Sequence, residues 1–512
     1  MDTESAPYDA GKSQESLMDA DSQDFVETHD SEDALQERSE KDSLESDTAI
    51  KAKEDAATAE DVKTQDDSAK ASEDSNDALL TGCQPCLESY GIMTEGDWEA
   101  LHHCSSISGD LEIVSTEFST LDGLGSEPCL YEILGDLIIE NNPQLQDISA
   151  LTAIQQIGGS LHITLNPKMT SLDGLQNLGS IGKNLEIGAK FSGNALLSDI
   201  SALAGLTELG DNLAIQNNPL LIHIEGLLGL EELHGDLNIS KNESLETIDG
   251  LSNLSFADRY IDIVGNPKLL NLDGLKKLGF IGGDIHIWDN AELLDVNGLS
   301  SLTMIGGNLH VDANPKLMNV DGLSNLELVG SGIRFYSNYA LENLHGLSKL
   351  EAVYGYLDIV ANKVLINLEG LHNLEIIDGY LDVEANDSLN DISALSNLHL
   401  IGDDLRLWYN LVLTQALGLS NIEEVGGYLT IHQNPALIDL DGFSGIRTVG
   451  QDVVIDLNYS LLNIDGITSI ESVGGDLKVF KNQGLCEENL QSKLAGISLG
   501  GALEIYGNKE CP

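Results

Sequence analysis

A period of 24 residues constrains this chain more than any other feature in it. The stretch IGGNLHVDANPKLMNVDGLSNLELVG (305–330) returns, with changes, along most of the 512 residues. Anchored on the first apolar residue of each copy, the series is Leu137, Leu161, Leu185, Leu213, Leu237, Ile261, Ile285, Leu309, Ile333, Leu357, Leu381, Leu405, Leu429, Val453, Leu477 and Leu503. Thirteen of the fifteen spacings are 24; one is 28, at an insertion near 190–194, and the last is 26. Leu111 begins an earlier, degenerate copy. A fixed period of this length denotes a solenoid whose coils contact only their neighbours.

With Leu309 as position 0, apolar residues follow at +2 (Val311), +8 (Leu317), +11 (Val320), +14 (Leu323), +17 (Leu326) and +20 (Val329). The first pair has the two-residue period of a strand. The later steps of three suit 3₁₀ turns. The segment after each strand is too short for a long crossover helix. The pattern therefore predicts a mainly β, right-handed parallel β-solenoid of about 16 coils, with one long parallel sheet and irregular, turn-rich return faces.

Position +5 is asparagine in almost every copy: Asn142, Asn166, Asn218, Asn242, Asn266, Asn290, Asn314, Asn338, Asn362, Asn386, Asn410, Asn434, Asn458, Asn482 and Asn508. Lys190 interrupts the series, with Asn194 displaced by the insertion. An inward-turned asparagine can bond the backbone of the next coil, so a structural ladder is expected. A second column is acidic: Asp122, Asp147, Asp173, Asp199, Glu225, Asp249, Asp273, Asp321, Glu369, Asp391, Asp441 and Asp465. Without the glycine-rich calcium nonapeptide, turn or cap carboxylates are expected here rather than a calcium ladder.

Charge narrows the function. The chain has 85 Asp and Glu against 25 Lys and Arg, a net −60. That excludes a basic nucleic-acid binder and a polybasic membrane anchor. No apolar run of about 18 residues offers a transmembrane helix. Residues 1–80 hold 25 acidic and 7 basic residues. Such a segment buries too little apolar surface to offset ordering, so a disordered acidic tail or linker is expected. A Cys-containing N-terminal cap (81–109), the repeat solenoid (110–484) and a C-terminal coil with a Cys-containing cap (485–512) follow.

The core L-x-I-x-x-N-P-x-L-x-x-L resembles a leucine-rich repeat, and HCSSISGDLEI (103–113) resembles the opening of receptor L-domains. D-I-S-A-L (147–151, 199–203, 391–395) is similar to internalin-type repeats. The resemblance implies a solenoid scaffold used for ligand binding on cell surfaces. The cysteine-rich module, membrane span and kinase of the L-domain receptors are absent, so signalling is not implied.

Cys83, Cys86, Cys104 and Cys129 stand at one end of the array, and Cys486 and Cys511 at the other. Solenoid ends need caps, so a Cys486–Cys511 bond and two bonds among the first four are expected, in any of three pairings. A zinc site from Cys83 and Cys86 with Cys104, His102 or His103 is the rival. Disulfides imply an oxidising compartment, hence an extracellular or cell-surface location. The first 30 residues show no signal peptide, so a start further upstream is expected, with a lipoprotein signal as one form. The N-x-S/T pattern occurs at Asn242, Asn253, Asn386 and Asn458, of which Asn253 alone lies off the ladder.

Outward strand positions collect rings: Tyr260, Tyr356, Tyr380 and Tyr428 at −1, His286 and His310 at +1, and Trp288, Tyr336, Trp408 and His432 at +3. Open aromatics suggest a ligand-binding face for a protein or glycan. A passive envelope spacer is the alternative. A second is a polysaccharide-cleaving β-helix enzyme using Asp358 and Asp382, which stack on adjacent coils. His286 and His310 with Asp262 or Asp312 are read as solvated surface groups rather than a metal site. No enzymatic motif is present, and no catalytic residue, metal or cofactor is expected.

Overall fold

The computed structural model describes residues 83–124 and 129–510. The acidic segment 1–80 and Cys511 lie outside the described residues. Most coils lay down a four-residue strand, a 3₁₀ turn and a two-residue strand, as in Leu309–Asp312, Asp321–Leu323 and Leu328–Val329. The four-residue strands pair in parallel, anchor against anchor: Leu309 with Ile333, Leu381 with Leu405. Together they form an 18-stranded sheet from Tyr90–Ile92 to Leu503–Tyr506. Pairing passes from each coil to the next, and among the described residues none joins the first strand to the last. The sheet is open, not a barrel.

The fold is thus a parallel β-solenoid with two differences from expectation. The sheet begins one strand before the degenerate copy expected at Leu111–Val114, at Tyr90–Ile92. Tyr-Gly-Ile pairs with Leu-Glu-Ile although the repeat signature has already faded there. The return side also carries a sheet of its own, where only irregular turns were expected. Its short strands, two residues long beyond Cys104–Ile107, form one ladder of six, ending at Glu208–Leu209, and one of twelve, starting at Glu232–Leu233. Two residues are too few to show a strand period, so this sheet left no readable alternation.

The apolar positions close the core: Leu309, Val311, Leu317, Val320, Leu323, Leu326 and Val329 are all 0 % exposed. Glycine follows from close approach at the 3₁₀ turn. A Cβ on Gly322 would lie 1.9 Å from the Val296 carbonyl oxygen of the preceding coil.

After most of the long strands the +4 residue enters the left-handed region, as at Ala313 (φ 49°) and Ala361 (φ 58°). This kink breaks the strand alternation and turns the +5 asparagine inward. Asn314 N–H donates to Asn338 Oδ1 (3.1 Å), and Asn338 Nδ2 donates to the Val311 carbonyl (2.7 Å). The pattern runs coil by coil from Asn142 to Asn508. Asn194 takes the rung at the insertion, accepting from Asn166 N–H (3.1 Å) and donating to Asn218 Oδ1 (3.2 Å). Thr116 starts the series, donating to Asn142 Oδ1 (2.9 Å). Buried polar groups need partners, and the amide supplies both a donor and an acceptor at each corner.

The acidic column divides into two. In the D-I-S-A-L coils Asp147 and Asp391 sit at +10, and Asp199 takes the same place beyond the insertion; all three accept from the N–H two residues on, each at 2.7 Å. In the D-G-L coils the acid sits at +12, and the cap is the residue before it by two. Asn319 accepts from Asp321 N–H (3.1 Å) and Asn271 from Asp273 N–H (3.0 Å). The +12 carboxylates therefore do not cap the turn; they open it on the solvent side.

Two disulfides, Cys83–Cys129 and Cys86–Cys104, fasten the N-terminal coils. With both sulfurs oxidised, Cys86 and Cys104 leave no thiolates for the rival zinc site, although His103 Nε2 is 3.9 Å from Cys86 Sγ. Cys486 is disulfide-bonded as well. Among the described residues no helix is long and apolar enough to cross a membrane.

Candidate functional site: the outward face of the long sheet

Alternation along each strand buries 0 and +2 and turns +1 and +3 outward. The face they form is not a row of independent rings. Between Asp262 and Asp456 the side chains link across coils. Asp262 Oδ1 bonds His286 Nδ1 (2.9 Å), and the His286 and His310 rings stack with centroids 4.9 Å apart. His310 Nε2 lies 2.6 Å from the Tyr356 hydroxyl. Tyr356 stacks on Tyr380 at 5.0 Å, and the Arg406 guanidinium covers Tyr380 at 5.5 Å.

Tyr356 reaches His310 by crossing an intervening coil, and Gly332 leaves the room. A Cβ on Gly332 would fall 2.4 Å from the Tyr356 ring. His310, expected on the open face, is consequently buried, 4 % exposed. The expectation fails because alternation gives the direction of a side chain but not what its neighbours lay over it. Of the rings singled out in the sequence, Tyr428 (45 % exposed) and Trp288 (38 %) stay most open. Tyr260, His286, Tyr336, Tyr356, Tyr380, Trp408 and His432 are half-buried. His432 joins Asp456 (2.8 Å) and the Tyr409 hydroxyl (3.2 Å), and its ring meets Trp408 at 5.7 Å.

Three members escaped the sequence reading. Arg334 grips Asp312 Oδ2 through Nε (2.9 Å) and Nη2 (2.5 Å). Arg406 bonds Asp404 (2.5 Å). Tyr409 projects from the left-handed +4 position. For the two arginines the signal was available: a cation at +1 among the carboxylates and rings of the face.

The electrostatics follow from this burial. Desolvation, Arg334 and His286 all push His310 well below the usual histidine value, so it is neutral. Burial pushes His286 down too, but the Asp262 hydrogen bond and the charges of Asp262, Asp284 and Asp312 outweigh it and raise its pKa. Burial raises the Asp312 carboxyl against the opposing pull of Arg334. Burial and the Asp358 charge raise Tyr380, whose hydroxyl also contacts Asp358 (3.3 Å). Asp358 and Asp382 stand in register on adjacent strands.

A second asparagine column, at +16, was also missed. Asn253, Asn325 and Asn373 donate to carbonyls of the preceding coil at 2.7–2.8 Å. The sequons Asn242, Asn386 and Asn458 are ladder rungs at 0 % exposure.

Stacked coils, a leucine-lined core and an asparagine ladder define a leucine-rich-repeat-like parallel β-solenoid. No protein-family model matches the chain, and no curated protein matches it. Among solved structures it is similar to a leucine-rich-repeat protein of Leptospira interrogans. Identity is 17 %, covering 70 % of this chain and 80 % of that one, with a TM-score of 0.27. It is also similar to TLR13 in a complex with ssRNA13, at 15 % identity over 82 % and 84 % of the two chains, with a TM-score of 0.18. At such scores the likeness adds nothing to the fold, which stands on the register of the chain's own strands.

Proposed function

We propose that the protein is a non-catalytic recognition module, secreted or held at a cell surface, that binds a protein or glycan ligand on the outward face of its long sheet. One observation carries the reading: aromatic side chains there are locked to one another and to carboxylates, while Trp288 and Tyr428 remain open. Preorganised rings bind with little ordering cost. The face carries more carboxylates than cations, which disfavours nucleic acid and other polyanions. The two N-terminal disulfides favour an oxidising compartment. In this reading 1–80 is a tether, 81–109 and 485–512 are caps, and 110–484 is the binding scaffold, akin to a receptor L-domain.

The test is a glycan and cell-surface array probed with wild type and a Trp288/Tyr336/Trp408→Ala variant. Far-UV circular dichroism verifies that the outward substitutions leave the fold intact. Selective binding lost in the variant is the expected result. No binding by either would reassign the protein as a passive spacer, and equal binding by both would place the ligand away from this face.

A further inference from the structure

Three coils, those of Ile333, Leu405 and Leu477, share an arrangement that the 24-residue period does not require. Basic residues occupy +1 at Arg334, Arg406 and Lys478, 72 residues apart. In the same coils +3 is aromatic: Tyr336, Trp408 and Phe480. In the coil before each, +3 is acidic: Asp312, Glu384 and Asp456. The sheet sets these acids and rings side by side, pairing Asp312 with Tyr336, Glu384 with Trp408 and Asp456 with Phe480. Outward positions contribute nothing to the packed core. A longer period confined to them is not explained by coil folding.

Resting on the recognition reading above, we propose that these three units form a repeating binding track for a neutral, β-1,4-linked linear polysaccharide lying along the stack of coils. Three strand spacings come to about 14 Å, so the occupant must present an equivalent group at that interval. A β-1,4-linked pyranose is close in length to one coil rise. Every third sugar therefore comes level with the next unit, in the same orientation when the chain takes a threefold screw.

The chemistry of the unit agrees. The basic residues are taken up internally, Arg334 by Asp312 (2.9 Å) and Lys478 by Asp476 (2.9 Å) and Asp452 (3.3 Å). They act as struts, not as anion sites. Two polar atoms within the units lack a hydrogen-bond partner: Asp312 Oδ1, an acceptor on a residue 4 % exposed, and Trp408 Nε1, a donor. Such orphans are costly. A sugar hydroxyl both donates and accepts, so one functional group matches both atoms. Pyranose faces stack on aromatic rings, and an uncharged chain avoids the carboxylates.

Xylo-, cello- and chito-oligosaccharides of increasing length, titrated calorimetrically into the full chain, test this. Affinity in one series should step up when the oligomer first spans two units, near the tetrasaccharide. It should step again near the heptasaccharide, each gain being on the order of tenfold or more. Trp408→Ala should remove a step, and Phe480→Ala another, while Asp312→Asn weakens binding without altering the steps. A smooth length dependence, or no binding by any of the three series, overturns the track. A lysine-rich peptide bound in their place, and lost in the Trp288/Tyr336/Trp408→Ala variant, overturns the track but leaves the recognition face standing. An array ligand that this variant binds as well as wild type defeats the recognition face itself.

Discussion

Asn338→Ala tests the element that holds coil to coil. The Asn338 side chain is 0 % exposed and makes three bonds. Its Oδ1 accepts from Asn314 N–H (3.1 Å) and Asn314 Nδ2 (3.4 Å), and its Nδ2 donates to the Val311 carbonyl (2.7 Å). Alanine leaves the Asn314 N–H buried without a partner, at about 1–3 kcal/mol, and removes two further bonds at ~1 kcal/mol each. The expected loss is ~3–5 kcal/mol. It falls on the junction between the coils of Leu309 and Ile333, because a solenoid's stability is a sum of coil and nearest-neighbour terms. Hydrogen exchange resolved by peptide reads it: protection over 309–340 should drop by at least about 100-fold while the terminal coils change little. Asn373→Ala is the control. It is exposed, makes one bond to Ser348 (2.8 Å) and should cost under ~1 kcal/mol. Equal losses at the two sites, or a loss spread evenly over the chain, would refute the ladder as the inter-coil fastener.

Further outcomes follow from other sites. Replacing Ala313, Ala361 and Ala385 with glycine should stabilise the chain by about 1 kcal/mol per site, read by thermal melting, because each alanine holds a positive φ. Gly332→Val should displace Tyr356 from His310 and bring the His310 titration, followed by NMR, back up toward the ordinary histidine range. His310 is buried neutral, so the unfolded chain binds its proton first. Wild-type stability should therefore fall as pH drops below about 6.5, and His310→Gln should flatten that limb in melts at pH 7 and pH 5. His286 has the opposite sign, and its contribution is lost as pH rises above its raised pKa. Cys86→Ser/Cys104→Ser, which opens a loop of 18 residues, should cost ~3 kcal/mol and loosen Tyr90–Ile92 first in hydrogen exchange.

The frame was legible in the sequence because period, strand pair and buried asparagine all recur and reinforce one another. Leu309, Val311 and Asn314 could be assigned without coordinates. What stayed hidden involves relations between coils rather than within one. The +10 and +12 acids look like one column until distance from the anchor leucine separates Asp391 from Asp321, and only the hydrogen bonds show that one caps and the other does not. His310 reads as an open-face residue from its own strand; Tyr356, 46 residues later, buries it, and Gly332 makes that possible. The same logic bears on function. A repeat scaffold needs its inward positions to stay constant and leaves the outward ones unconstrained by folding. Departures from the basic period on the outward face are therefore where recognition is written. On this chain those departures concentrate between Asp262 and Phe480, and there the side chains tie to one another across as many as two coil steps. A mutation in this stretch should change binding well before it changes the solenoid.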